Sequence, residues 1–176
     1  MLTLPHTIIN IYILVNSFIV SRVDYCNSLL AGLPTCQLSR VQSVLNSAAR
    51  VIYGRTPFDH VTDLLHDNLH WLRVPQRITY ELCLIAYKSL NDCMPDYISD
   101  FCIRVADNRN RSRLRSSSKN LLQVPRTSTR CGDGSFSVAG PTAWNSLPDH
   151  VKNAPSLETF KTKLKTYLFK QSYDCD

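Results

Sequence analysis

Apolar residues fall along this chain in blocks at helical spacing, divided by proline, glycine or polar breaks. Thr7 to Leu30 is apolar with scattered polar positions and runs into Gly32, Leu33 and Pro34, which predicts a helical first element ended by a turn. Leu38, Val41, Leu45, Ala48 and Ile52 recur three and four residues apart. That spacing draws one apolar stripe on a helix over about Thr35 to Tyr53, with Gly54 where a helix stop is expected. Asp59 to His66 reads as a short third helix capped by Asp59. Pro75 suits the start of a long helix to about Leu90, because its missing N–H has no partner in a first turn anyway. Ile78, Leu82, Ile85, Ala86 and Leu90 form its stripe, and Pro95 opens a short helix through Tyr97, Ile98 and Phe101. Pro141 to Asn145 predicts one turn carrying Trp144. Ser156 caps a last helix from Leu157 to about Phe169, striped by Leu157, Phe160, Leu164 and Leu168.

Between these blocks the pattern changes twice. Arg104 to Lys119 is polar, basic and aperiodic, so no packed face can be drawn and an exposed basic loop is predicted. Leu121, Leu122 and Val124 read as a short strand ending at Pro125. Ser135 to Val138 reads as another, after the turn Gly132-Asp133-Gly134, and the two are expected to pair as a small β-hairpin. The expected class is therefore mainly α, with a minor β-hairpin and an exposed basic loop. Its expected parts are a helical region over 1–103, a basic loop or linker over 104–130, and a C-terminal extension over 131–176.

Composition adds one decisive fact. The 176 residues are 44% hydrophobic, enough for one domain with a core and too many for a wholly disordered chain. The net charge is +6, yet residues 104–130 alone hold eight basic side chains against Asp107, a local +7 that leaves the remainder at −1. The basicity belongs to one segment. Within it Arg109, Arg111, Arg113 and Arg115 alternate with Asn110, Ser112 and Leu114. Extended, that alternation lines four guanidinium groups along one side, each able to fork onto a phosphate. Arg109, Arg111, Arg113, Arg115 and Lys119 are the expected contacts to an RNA or DNA backbone, with Arg126 and Arg130 behind them. A solvated basic loop and a nuclear-import sequence are the competing readings. Lys161, Lys163, Lys165 and Lys170 are expected to be ordinary solvated residues.

Motifs for other chemistry are missing. Gly132-Asp133-Gly134 lacks the third glycine of a dinucleotide fingerprint, and no Gly-Lys-Ser/Thr phosphate loop occurs. No Cys-x-x-Cys is present. His66 and His70 are four apart, but Asp67 stands where a zinc protease needs glutamate. Asp92, Asp96 and Asp100 also repeat every four residues, around Pro95, where carboxylates suit a helix N-terminus. No Gly-x-Ser-x-Gly elbow occurs. No catalytic residue, metal or cofactor is therefore expected. Trp71, Trp144 and Phe160 are read as core anchors rather than base-stacking platforms. The seven cysteines are odd in number and no export signal is evident, which predicts a reduced intracellular chain in the nucleus or cytoplasm. Ile8 to Val20 is shorter than the roughly 20 apolar residues of a membrane span, so a buried helix and no membrane partner are expected.

Three stretches then take on a family likeness: "SRVDYCNSLLAGLP" (Ser21 to Pro34) running into "LSRVQSVLNSAARVI", "LHWLRVPQRITYELCLIAYKSLN" (Leu69 to Asn91), and "GDGSFSVAGPTAWNSLPDHVKNAPSLETFKTKLKTYLF" (Gly132 to Phe169). In this order they resemble the C-terminal region of LINE-type, non-LTR retrotransposon reverse transcriptases of the jockey and chicken-repeat kind. "SRLRSSSKNLLQVPRT" looks like the same family's basic stretch. The resemblance implies the thumb-like helical region after the polymerase palm, helping to hold template RNA or primer–template. The palm's Tyr-x-Asp-Asp is absent, and Asp24-Tyr25-Cys26 is a different pattern, so no polymerase residue carries over. The implied role is that of a non-catalytic fragment of an RNA-directed DNA polymerase. The rivals are a helical protein-interaction module, with the Leu38 to Ile52 stripe facing a partner, and an inert retroelement remnant.

Overall fold

A computed structural model describes residues 6–107 and 120–173. The fold is mainly α. Five helices carry it: α1 (His6–Asp24), α2 (Thr35–Ile52), α3 (Val74–Leu90), α4 (Phe136–Ser146) and α5 (Leu157–Tyr173).

Local chemistry sets the helix ends much as the sequence predicts. α2 stops in a Schellman turn: Gly54 sits at φ +60°, its N–H reaches Val51 O at 3.4 Å, and Arg55 N–H reaches Arg50 O at 2.9 Å. α3 begins with Pro75 in its first turn, and the Val74 N–H donates to Gln42 Oε1 of α2 at 2.8 Å. The first-turn donor that no helix can satisfy internally is thus met by a neighbouring helix. Ser156 Oγ accepts the Thr159 N–H at 3.3 Å at the start of α5.

α3 is the central helix because it is apolar on two sides. Val74, Ile78 and Leu82 join Leu45, Ala48, Ile52 and Trp71 in one core with α1 and α2. Cys83, Ala86 and Tyr87 join Trp144, Phe160, Leu164 and Leu168 in a second core with α4 and α5. The second core is aromatic. Tyr87 stacks on Phe160 with centroids 4.2 Å apart, and Trp144 lies 5.9 Å from Phe160. The Tyr87 hydroxyl donates to Ala154 O at 3.1 Å, so its polar tip is satisfied inside. Trp144 and Phe160 are core anchors, as expected, and Trp71 is buried as well.

Four expectations change. First, the β-hairpin does not form. Ser135 to Val138 opens α4 instead, with Ser135 O accepting the N–H groups of Val138 and Ala139. Local β preference loses there to a helix that buries Val138, Pro141 and Trp144. Leu122 is extended but bridges Arg104, through Val105 N–H to Leu121 O at 2.9 Å and Gln123 N–H to Ile103 O at 2.8 Å. Second, Asp59 does not cap a helix at its own position. It accepts the Thr56 N–H at 2.7 Å, closing a turn, and the helical residues follow as a π-turn at Leu64–Asn68. Third, the Leu38 to Ile52 stripe of α2 faces the core rather than standing open, with Leu45, Ala48 and Ile52 covered and Leu38 and Val41 partly so. Fourth, the apolar N-terminal run is not a buried helix. α1 continues through a π-turn at Asn16–Val20 to Asp24, 19 residues in all, and only 11% of its most apolar window is buried. Its length and composition meet the requirement for a membrane span that the shorter Ile8 to Val20 run does not.

Candidate nucleic-acid interface

The basic segment leaves and rejoins the described structure at one place. Asp107 ends a short 3₁₀ turn, Val105–Asp107, and Asn120 resumes the chain beside it, because Arg104 and Leu122 form an antiparallel bridge. A ladder this short is weak alone, and three side-chain contacts reinforce it. The Asn145 carboxamide accepts the Leu122 N–H at 2.9 Å and donates to Leu122 O at 2.8 Å, standing in for a strand's backbone. The Trp144 indole N–H donates to Asn120 O at 2.9 Å. Leu122 is 2% exposed, inserted in the aromatic core. The segment's returning end is therefore rooted in the aromatic core.

The expected contacts Arg109, Arg111, Arg113, Arg115 and Lys119 lie outside the described residues. Arg126 is exposed on the stretch that returns to α4. Arg130 opens a four-residue helical turn, Arg130–Asp133. Arg104 is exposed and turns one guanidinium nitrogen to Leu90 O at 3.2 Å, so it helps fix the root of the segment. Of the α5 lysines, Lys161 pairs with Glu158 at 2.7 Å, and Lys163 donates to His150 O at 3.2 Å.

The family-like stretches converge through contacts that the sequence does not announce. Arg77 of α3 grips Asp24 at the end of α1 with one nitrogen 2.7 and 2.8 Å from the two carboxylate oxygens. Its Nε donates to Leu72 O at 2.8 Å, and its guanidinium lies over Trp71, 5.7 Å from the centroid. Gly134 touches the first stretch so closely that a Cβ there would stand 2.4 Å from Ala31 O. The Tyr173 hydroxyl at the end of α5 donates to Trp71 O at 2.7 Å. A half-open cleft of about 290 Å³ lies at this junction, with Asp24, Asn27, His70, Arg77, Tyr80 and Glu81 among its walls. The sequence shows these residues in two separate blocks, which is why spacing alone does not find the cleft.

Other candidates resolve into packing. His66 stacks on Phe169 at 5.1 Å, and His70, at φ +49°, meets the same ring edge-on at 5.9 Å. Asp92 sits at φ +55°, Asp96 in the first turn of Asp96–Ser99 and Asp100 at its end, so the three do not share a helical face and only Asp96 complements the helix start. Among the described residues no group of three or more His, Cys, Asp or Glu side chains converges. Burial pushes the Cys83 thiol up to about 12 and raises Cys102 as well, so both stay protonated at neutral pH and serve as small apolar residues. Cys26, Cys36, Cys93 and Cys131 are exposed free thiols. No family model, no curated protein and no solved structure matches the chain.

Proposed function

We propose that this chain is the non-catalytic C-terminal part of a LINE-type reverse transcriptase and that its basic segment holds the backbone of template RNA or of primer–template. The observation that carries the reading is the segregation of charge: residues 104–130 hold +7 of a chain whose net charge is +6. Alternating guanidinium groups suit the regularly spaced phosphates of an extended single strand. The root of the segment supports the reading further. A backbone-binding element loses less ordering entropy when its ends are already fixed, and here the Arg104–Leu122 bridge joins the two ends while Asn145 and Trp144 hold the returning one. The family resemblance supplies the parent activity, RNA-directed DNA polymerisation, which would reside in a palm bearing Tyr-x-Asp-Asp.

The test is the salt dependence of binding to a single-stranded RNA. Each phosphate neutralised contributes about −0.7 to the log–log slope. Replacing Arg109, Arg111, Arg113 and Arg115 with Ala flattens the slope by roughly 2 to 3 units if all four engage. An unchanged slope excludes the segment as the binding site.

A further inference from the structure

The cleft where α1, α3 and α5 meet carries polar groups that the fold leaves unused. Asn27 is 5% exposed and lines this cleft of about 290 Å³, yet its Oδ1 has no hydrogen-bond partner among the described residues. A buried acceptor without a donor costs free energy, so native chains keep few of them. A carboxamide turns readily about its last torsion, which lets this oxygen present itself to whatever fills the cleft. Glu81 and Lys165 line the same walls, and neither has a charged partner among the described residues. Asp24 and Arg77 are already committed to each other, and Arg77 is held further by Leu72 O. The uncommitted groups are thus a buried acceptor, a carboxylate and an ammonium. They stand on separate elements. Asn27 opens the 3₁₀ turn Asn27–Leu30 that follows α1, Glu81 is one turn beyond Arg77 on α3, and Lys165 is one turn before Phe169 on α5.

We propose that this cleft binds one ribonucleotide whose base carries an exocyclic amine. The amine N–H donates to Asn27 Oδ1, as an adenine amine does to asparagine in a DNA groove. Glu81 accepts the ribose hydroxyls, the role an acidic side chain takes beside the ribose in dinucleotide sites. Lys165, exposed at the α5 rim, pairs with the phosphate. A nucleotide carries these three functions at three separate points, as the walls require. A free amino acid is a poorer occupant, because its ammonium and carboxylate sit on one carbon and cannot serve different helices. The volume agrees, since about 290 Å³ is roughly ten waters' worth, room for one nucleotide and not for an oligomer. A free nucleotide and the end of a strand present the same groups. None of these residues belongs to the basic segment, so the cleft is a second site and does not rest on the role proposed for that segment.

The experiment is a titration of the full 176-residue chain with AMP, CMP, dAMP and UMP, followed by the indole N–H signals of its two tryptophans in NMR spectra. Trp71 lines the cleft, and Trp144 stands at the root of the basic segment. AMP and CMP are expected to shift the Trp71 signal with a dissociation constant below about 1 mM and to leave Trp144 in place. dAMP and UMP, each short of one hydrogen bond, bind about 3- to 10-fold more weakly than AMP. Asn27→Leu removes the preference over UMP, and Glu81→Ala the preference over dAMP. Lys165→Gln alters an exposed side chain, so the fold survives it, and it weakens AMP while leaving adenosine unchanged. Tighter binding of 5′-phosphorylated ApA than of AMP assigns the ligand to a strand end, and equal binding to a free nucleotide. The proposal is overturned by a Trp71 signal that stays in place at about 5 mM AMP. Equal affinity for AMP, dAMP and UMP overturns it too, as does AMP binding indifferent to Lys165→Gln. Replacing Arg109, Arg111, Arg113 and Arg115 with Ala leaves the AMP response intact, whereas RNA held by the basic segment moves Trp144, so either site can fail without the other.

Discussion

Phe160 and Phe18 are the same side chain on helices of similar length, and they meet opposite fates. Phe160 is completely covered, stacked on Tyr87 and flanked by Trp144. Phe18 stands 72% exposed on a helix of which little is buried. The C-terminal region closes its apolar surface from three sides, because α3, α4 and α5 all converge on those rings. The N-terminal region offers α1 chiefly α2 and the segment that follows it, so one face is covered and the other is not. The exposed helix is the more apolar of the two: α1 has no charged side chain from Thr7 to Ser21, whereas α5 carries Glu158 and four lysines. What decides is the number of elements available to cover each.

The comparison can be broken most sharply by truncation. Phe160→Ala or Trp144→Ala removes a ring from a packed cluster and should cost about 3–5 kcal/mol, read by urea unfolding. Phe18→Ala removes a ring from water and should change the stability of the monomer by less than about 0.5 kcal/mol. Similar losses at the two sites would end the distinction.

Alkali probes the same core. The Cys83 thiol rises from 9.0 to about 12, driven by burial and opposed by nearby Lys152. The unfolded chain ionises this thiol near pH 9 and the folded chain does not. Its contribution is therefore fully present below pH 9 and is lost as the pH climbs towards about 12. Across that interval the loss is on the order of 4 kcal/mol. Tyr80 and Tyr173, both raised by burial, add to the loss above pH 10. Unfolding free energies taken from pH 8 to 11 should fall steadily, and Cys83→Ala should flatten the part that begins near pH 9. A decline untouched by that variant would assign it to the tyrosines.

Smaller effects lie where the two regions meet. Gly134→Ala drives a methyl against the backbone oxygen of Ala31, a contact that no rotamer can relieve, and should cost about 1–3 kcal/mol. Serine at the same position should cost as much, because the first atom of the side chain is at fault. Asp24 is 44% exposed and its partner Arg77 only 11%, so solvent screens the ion pair in part. A double-mutant cycle with Asp24→Asn and Arg77→Gln should give about 0.5–1 kcal/mol, falling in high salt. A coupling near zero would leave Arg77 a packing residue over Trp71.

Much of the helical layout is legible from spacing and end chemistry. The α2 stripe, Gly54, Pro75 and Ser156 all act locally, within one or two turns, so their physics lies within a few residues of sequence. Leu121 to Val124 also reads as extended. Its partner does not, because the choice between Ser135 to Val138 and Arg104 was made by Trp144 and Asn145, more than twenty residues on. The candidate interface divides in the same way. The run of arginines is plain in the sequence, while the bridge that roots it depends on side chains from α4.

By itself the sequence determined the stop of α2 and the starts of α3 and α5, which segment carries the charge, and which residues are apolar. Each depends on short-range rules of spacing, capping and composition. Only the tertiary structure decided which apolar residues are covered, that Val138 belongs to a helix, that Asp24 pairs with Arg77 fifty-three residues away, and that α1 keeps an open face. Burial is a property of neighbours. Periodicity shows that a side of a helix is greasy, but how many other elements arrive to cover it is settled by the packing of the whole chain.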